Sequence, residues 1–181
     1  MKQLLSIITA IVLLLSIGCK KKDDTPGYYF KFKADGVAYH YKYICDKGIF
    51  AGGCNMGALQ STSSTFNPMM IYGESGEYPR GEVRFFLNKE DFDTKDTIHL
   101  DGERNSVDVT KMPNGEYTAG YVMDMPLTGM LIVSKKTDEY IKGTFEFEAF
   151  KIVMNEETGS SERTDTIISF TEGEFFVGRA Y

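Results

Sequence analysis

Residues 28–44, YYFKFKADGVAYHYKYI, limit the possible fold more than any other segment of the chain. Asp35 and Gly36 form a two-residue turn signal, and apolar and polar side chains alternate on both sides of it. Pairing across this turn gives two aromatic pairs and two pairs that include a lysine: Phe32 with Tyr39, Phe30 with Tyr41, Lys31 with His40, and Lys33 with Ala38. Because the register and the alternation agree, the segment predicts an antiparallel β-hairpin with one buried face.

Short β-rich runs separated by turn residues continue along the chain, and no window of about 11 residues after the leader shows helical periodicity. The runs are residues 82–88, 96–100, 116–123, 129–134, 143–149, 164–170 and 173–179. A second hairpin is predicted to turn at residues 135–139, and a closing pair of strands to turn at Glu172-Gly173. The apolar phase shifts by one after Ala149, which predicts a β-bulge there. The predicted fold class is all-β, an antiparallel β-sandwich or a partly open barrel.

The first 19 residues, MKQLLSIITAIVLLLSIGC, are typical of a secretory signal, because Lys2 precedes an apolar run over residues 4–17 that is short for a bilayer span. Ser16-Ile17-Gly18-Cys19 resembles the bacterial lipobox, in which a diacylglyceryl group joins the cysteine thiol and the preceding peptide bond is cut. An ordinary signal peptide with an incidental cysteine and an uncleaved anchor helix are the alternatives. The predicted organisation is a signal peptide over residues 1–18, lipidated Cys19 with a polar tether over residues 19–27, and one all-β domain over residues 28–181.

The tether after Cys19 is too polar to pack in a core, so we expect it to stay solvated. Within it, Lys22-Asp23-Asp24 resembles the signal that sends lipoproteins of the Bacteroidota to the cell surface. A generic charged linker is the alternative. The resemblance implies a lipid-anchored outer-membrane protein whose domain faces the exterior rather than the periplasm. No cofactor other than the covalent lipid on Cys19, and no metal, is expected.

Cys45 and Cys54 remain once Cys19 is assigned to the lipid, and export would place them in an oxidising compartment. The glycine-rich loop between them can bring the two Cα atoms to the separation that a disulfide requires. Two free buried thiols or a reactive pair are the alternatives, although redox pairs favour the tighter C-x-x-C spacing. A zinc site lacks partners, because neither His40 nor His99 lies at ligand spacing from the pair.

Several pieces of the chain resemble a family of small lipoproteins of the Bacteroidota that has no established activity. They are the lipobox, the charged tether, the hairpin FKFKADGVAYHY, and the segments GMLIVSKKTDEYIKGTFEFEAF and ISFTEGEFFVG. The resemblance leaves residues 45–115 unmatched, and the chain has Tyr39 or Tyr41 where such proteins often have Trp. It implies an all-β lipoprotein and transfers no functional residue except Cys19. Two triplets also resemble the O-glycosylation motif of that phylum, Asp96-Thr97-Ile98 and Asp165-Thr166-Ile167.

The sequence contains no recognisable catalytic constellation. His40 is predicted as a solvent-facing strand residue, and His99 as a strand residue with a binding role as the alternative. Glu146 and Glu148 lie about 6.5–7 Å apart along a predicted strand. Glycoside hydrolysis requires two carboxyl groups near such a separation. Their alternation with phenylalanines already explains them as the polar face of a half-buried strand. Residues 88–96 have D-x-D spacing but not the Gly and distal Glu of a calcium loop, so a solvated acidic turn is predicted, with weak calcium binding as the alternative.

The formal net charge of −6 argues against a nucleic-acid partner, which requires a basic face on the protein. The predicted function is a non-enzymatic binding or interaction module, held at the membrane by its lipid, with a glycan, peptide or protein as ligand. A periplasm-facing structural lipoprotein that maintains the envelope is the alternative, and a hydrolase of envelope or glycan substrates is less favoured. A binding module predicts an exposed tyrosine-rich or groove-like surface. A hydrolase predicts a deep cleft in which His99 or His40 meets carboxylates such as Asp93 or Glu146.

Overall fold

The computed structural model describes residues 27–43, 55–60, 69–74, 81–110, 128–154 and 161–179. These residues form β-strands and one short helix. The strands are β1 Tyr29–Ala34, β2 Val37–Lys42, β3 Met56–Gln60, β4 Met69–Glu74, β5 Glu82–Leu87, β6 Thr97–His99, β7 Ser106–Thr110, β8 Thr128–Lys136, β9 Tyr140–Met154 and β10 Ser161–Gly178, and the helix α1 is Lys89–Thr94. No helix within these ranges is long and apolar enough to cross a membrane.

The strands form two antiparallel sheets, and neither sheet closes on itself. The larger sheet has six strands in the order β2-β1-β10-β9-β8-β6, and the smaller has four in the order β3-β4-β5-β7. An isolated parallel bridge joins Ala58 of β3 to Arg179, just after β10. The all-β prediction is therefore confirmed, and the arrangement is consistent with a β-sandwich.

The two sheets share one core, which aromatic rings from both sheets fill. Phe85 of the smaller sheet lies with its ring centroid 5.0 Å from Phe145, 6.1 Å from Phe147 and 6.3 Å from Phe30, all three of the larger sheet. A Cβ on Gly73 would approach the Phe30 ring to 2.4 Å, so the smaller sheet needs glycine there for the sheets to pack this closely. Phenylalanine therefore determines the spacing between the sheets.

The first predicted hairpin is confirmed in its turn and in its register. Asp35 and Gly36 both have positive φ, 47° and 80°, as a type I′ turn requires. β1 and β2 pair in the predicted register: Phe32 with Tyr39, Phe30 with Tyr41, Lys31 with His40, and Lys33 with Ala38. The Asp35 carboxylate also accepts a hydrogen bond from the backbone N–H of Ser169 at 3.0 Å, which joins the turn to β10.

The second hairpin and three further strand predictions are also confirmed. β8 and β9 are joined through the predicted turn, where the Thr137 hydroxyl accepts a hydrogen bond from the Tyr140 N–H at 3.0 Å. β5, β6 and β8 lie where residues 82–88, 96–100 and 129–134 predicted strands. The strand predicted over residues 116–123 lies outside the described residues.

The predicted closing pair of strands is wrong, because β10 runs continuously through Glu172-Gly173. Phe170 pairs with Phe147 and Gly173 with Phe145, so β10 has one more residue than β9 at this point. The extra residue is accommodated by Glu172, whose φ is 50°. A dipeptide that resembles a turn is thus a β-bulge.

The bulge predicted near Ala149 lies instead on the partner strand. Arg163 of β10 pairs with Ile152, and Ile167 pairs with Phe150, so four steps along β10 match two along β9. β9 keeps its alternation up to buried Ala149. The change of phase in the β9 sequence therefore reflects extra residues in β10.

The acidic run over residues 88–96 forms helix α1 rather than a solvated turn. The Asn88 side chain caps the helix by accepting hydrogen bonds from the backbone N–H groups of Glu90 and Asp91. Asp91 is buried, with 5% of its surface exposed, and its carboxylate accepts a hydrogen bond from Asn105 Nδ2 at 2.9 Å. The helix is too short to show periodicity in a longer window, which explains why the sequence pattern missed it.

Candidate functional site

A shallow groove crosses the outer face of the six-stranded sheet, the face that points away from the smaller sheet. It consists of two adjoining depressions of about 380 and 360 Å³ that share Met130 and Glu146. We define the outer-face groove by six of its lining side chains: His99, Met130, Ile132, Glu146, Glu148 and Ser169. They belong to four neighbouring strands, β6, β8, β9 and β10.

Strand register brings these side chains together. Met130 pairs with His99 on one side and with Glu146 on the other, and Glu148 pairs with Ser169. The Ser169 hydroxyl donates a hydrogen bond to Glu148 Oε1 at 3.4 Å. Because neighbouring strands lie about 4.8 Å apart, His99 and Glu146 are separated by roughly 10 Å with Met130 between them.

The groove combines apolar surface with two carboxylates that form no ion pair with a described residue. Within the described ranges, no ion pair includes Glu146 or Glu148, whereas Glu174 is paired with Lys31 at 3.0 Å. That pairing lowers the pKa of the Glu174 carboxyl, chiefly through the hydrogen bond from the Lys31 ammonium. Ile132 is 38% exposed and so contributes apolar surface to the groove. The groove therefore offers negative charge beside an apolar strip.

The geometry does not form a general acid–base pair. No hydrogen bond between described residues joins the His99 imidazole to Glu146 or Glu148, and all three side chains are exposed. A carboxyl that acts as a general acid near neutral pH needs burial, which an open sheet face does not provide. His40 lies on the outer face of β2, with its ring centroid 6.3 Å from that of Tyr29, away from the groove. Among the described residues, no group of three His, Cys, Asp or Glu side chains could hold a metal ion.

The sequence suggested that His99 and Glu146 meet only under the less favoured hydrolase hypothesis. It predicted His99 as a strand residue and Glu146 on the polar face of a strand, and both predictions are confirmed, but the pairing of β6 with β8 is non-local and has no sequence motif. Asp93, the other carboxylate considered for a catalytic cleft, lies on α1 and forms an ion pair with Lys89. The outer-face groove that holds His99 and Glu146 is an open depression, whereas the hydrolase hypothesis requires a deep cleft.

The acidic helix supplies a structural network instead of a site. The Asp91 carboxylate lies 2.7 Å from Lys95 Nζ and 3.5 Å from Arg104 Nη2. Hydrogen bonds from Lys95 and Asn105 lower the pKa of the Asp91 carboxyl, so it stays ionised in the fold. This network attaches α1 to the start of β7, which begins next to Asn105.

The remaining predicted site residues fall into two groups. Thr97 and Thr166, the threonines of the two triplets, are both exposed on strands of the larger sheet. The lipidation residue Cys19, the export residues Lys22, Asp23 and Asp24, and the cysteines Cys45 and Cys54 lie outside the described residues. Lipidation, export and the disulfide therefore stay predictions.

Comparison of the chain with protein-family models, curated proteins and solved structures finds no match.

Proposed function

We propose that this protein is a lipoprotein, anchored through Cys19 to the outer membrane, whose all-β domain binds a ligand in the outer-face groove. The leader supports the anchor, because its apolar run ends at a cysteine that a polar tether follows. The groove supports binding rather than catalysis, because it is open and its histidine and carboxylates are not coupled.

The observation that carries the proposal is a pair of exposed carboxylates, in no ion pair with a described residue, beside half-buried Met130 and exposed Ile132. Glu146 and Glu148 point to the same side of β9, and Met130 and Ile132 run alongside them on β8. Such a surface complements an extended ligand that carries positive charge next to an apolar group. A cationic peptide segment has this chemistry, and we propose it as the ligand class.

Binding is tested with a peptide of alternating lysine and leucine, titrated calorimetrically into the purified protein. The double variant Glu146→Gln/Glu148→Gln is expected to bind it about tenfold more weakly, since two complementary charges are lost. Glu103→Gln/Glu139→Gln is the matched control, because both residues are exposed and lie outside the groove. Equal weakening in the two variants would show that net charge, rather than the groove, attracts the peptide.

We propose that Lys22-Asp23-Asp24 directs the domain to the cell surface. Protease added to intact cells should then remove an epitope tag from the domain while a periplasmic protein survives. Protection of a tag that is cleaved after denaturation would contradict surface display. Envelope maintenance from the periplasm, the alternative role, would then become the leading hypothesis.

A hydrolase is the second candidate, because His99 shares the groove with two carboxylates. It predicts turnover of chromogenic glycosides or esters that His99→Gln abolishes. The binding module predicts no turnover above that of buffer, and peptide affinity that survives this substitution within a few-fold.

A further inference from the structure

A cluster of aromatic rings and lysines lies at the end of the larger sheet where the chain enters the domain. We call it the tether-proximal patch and define it by six residues: Tyr28, Tyr29, Tyr140, Phe176, Lys135 and Lys142. The Phe176 ring centroid lies 5.0 Å from that of Tyr28, 6.1 Å from that of Tyr29 and 5.1 Å from that of Tyr140. All four rings are only partly buried, so the cluster presents aromatic edges to the surroundings.

The two lysines of the patch face each other across neighbouring strands. The Lys135 ammonium lies 5.3 Å from the centroid of the Tyr140 ring, and the charge of Lys142 acts on the Glu174 carboxylate. Lys135 of β8 and Lys142 of β9 are direct cross-strand partners, and both are exposed. No ion pair among the described residues includes either of them. Like charges placed opposite each other destabilise a sheet, and the chain as a whole is acidic, with a net charge of −6. An anionic surface that covers the patch would remove this repulsion.

The length of the tether places one particular anionic surface within reach. Tyr28 follows Cys19 by nine residues. A segment of this length spans at most about 30 Å when extended and roughly 15–18 Å on average when flexible. A lipid on Cys19 would therefore keep the patch close to the headgroups. Tyrosines, with an apolar body and a polar tip, suit a membrane–water interface, and lysines suit anionic headgroups.

We propose that the tether-proximal patch docks the domain on anionic phospholipid headgroups of the membrane that holds Cys19. The inference rests on the proposed lipid anchor. In the docked state, the lysines of the patch contact the lipid phosphates, and the aromatic rings of the patch lie at the level of the headgroups. Lys142, the patch residue on β9 nearest to the groove, lies four residues from Glu146, or about 13 Å at the rise of a strand. Docking at the end of the sheet thus leaves the outer-face groove open to its ligand.

The test uses the exported chain, residues 19–181, with Cys19→Ser so that no lipid contributes to binding. It is sedimented with vesicles of phosphatidylcholine alone, and with vesicles of equal parts phosphatidylcholine and phosphatidylglycerol. We expect binding to the anionic vesicles only, weakened by salt. Lys135→Gln/Lys142→Gln should weaken it about tenfold. The substitutions remove the repulsion between the lysines together with the contacts of Lys135 with Tyr140 and of Lys142 with Glu174, so the urea midpoint of this variant should stay close to that of the parent. That measurement separates loss of binding from loss of fold.

The matched control is Lys33→Gln/Arg163→Gln, which removes the same charge from strands of the same sheet but away from the patch. Its vesicle binding should equal that of the parent, as should that of Glu146→Gln/Glu148→Gln. Equal binding of the parent to both vesicle types would overturn the proposal. So would an equal loss of vesicle binding in Lys135→Gln/Lys142→Gln and in the control Lys33→Gln/Arg163→Gln. So would binding of soluble glycans through the patch without vesicle binding. Incorporation of labelled palmitate into wild-type and Cys19→Ser chains tests the anchor separately, so failure of the anchor and failure of the patch are distinguishable.

Discussion

At the scale of single residues, two buried polar side chains differ in whether they have hydrogen-bond partners. Asp91 is enclosed with partners for its carboxylate, namely Asn105, Lys95 and Arg104. Tyr41 is 4% exposed, and its hydroxyl has no hydrogen-bond partner among the described residues. Burial raises the pKa of the Tyr41 hydroxyl far above its ordinary value, so it stays neutral and protonated. Alternation in the sequence predicted that Tyr41 points inward, but it could not show whether the hydroxyl finds a partner.

Tyr41→Phe should increase the stability of the protein. The substitution keeps the ring contact with Phe32, at a centroid distance of 5.6 Å, and removes a buried hydroxyl whose desolvation is not compensated. We expect a gain of about 1 kcal/mol in the free energy of unfolding, measured by urea denaturation. Tyr29→Phe is the control, because the Tyr29 hydroxyl donates to Glu174 Oε2 at 3.3 Å, and its loss should cost a few tenths of a kcal/mol. A loss of stability in Tyr41→Phe would show that the hydroxyl is satisfied.

At the scale of elements, local signals predicted the structure where both strands of a pair are close in sequence. The β1–β2 register followed from Asp35-Gly36 and the alternation alone. Glu172-Gly173 resembled the same kind of turn, yet β10 continues through it, because pairing with β1 and β9 on either side holds the strand extended. Whether such a dipeptide turns the chain or bulges is decided by these non-local partners. Helix α1 was missed for a different reason, since six residues give a periodicity too short to detect.

Gly173→Ala should destabilise the protein by about 2 kcal/mol, because the bulge leaves no room for a side chain. A Cβ at this position would lie 2.5 Å from the carbonyl oxygen and 2.5 Å from Cδ2 of Phe145, and the backbone of β9 cannot move aside cheaply. Thermal and urea denaturation measure the change. Gly27→Ala serves as the control, because nothing lies within 4 Å of the position of its Cβ, and it should be neutral. If residues 173–179 instead turned back as a separate strand, Gly173→Ala would be tolerated.

At the scale of the whole molecule, the sequence predicted the class of fold but not the order of the strands. The larger sheet places β10 between β1 and β9, and the smaller sheet places β7 beside β5, neither of which a local motif specifies. The outer-face groove depends on the same long-range order, because His99 reaches it only through the pairing of β6 with β8. Individual residues of the groove could therefore be predicted to face outward, but their neighbourhood could not. The alternation of apolar and polar residues was sufficient to predict which side chains form the core. The inward faces of all the strands pack into one common interior, whatever the order of the strands.

The two sheets are expected to unfold together, since neither sheet buries its apolar face without the other. Phe85 connects them, because its ring is fully buried in the smaller sheet and contacts Phe30 and Phe145 of the larger. Phe85→Ala should cost about 3–5 kcal/mol and lower the protection of backbone amides in both sheets together, as measured by hydrogen exchange. Phe86→Ala is the matched control, because its side chain is on the other face of β5 and only partly buried, so its cost should be much smaller. Loss of protection confined to β3, β4, β5 and β7 would show that the six-stranded sheet keeps a core of its own.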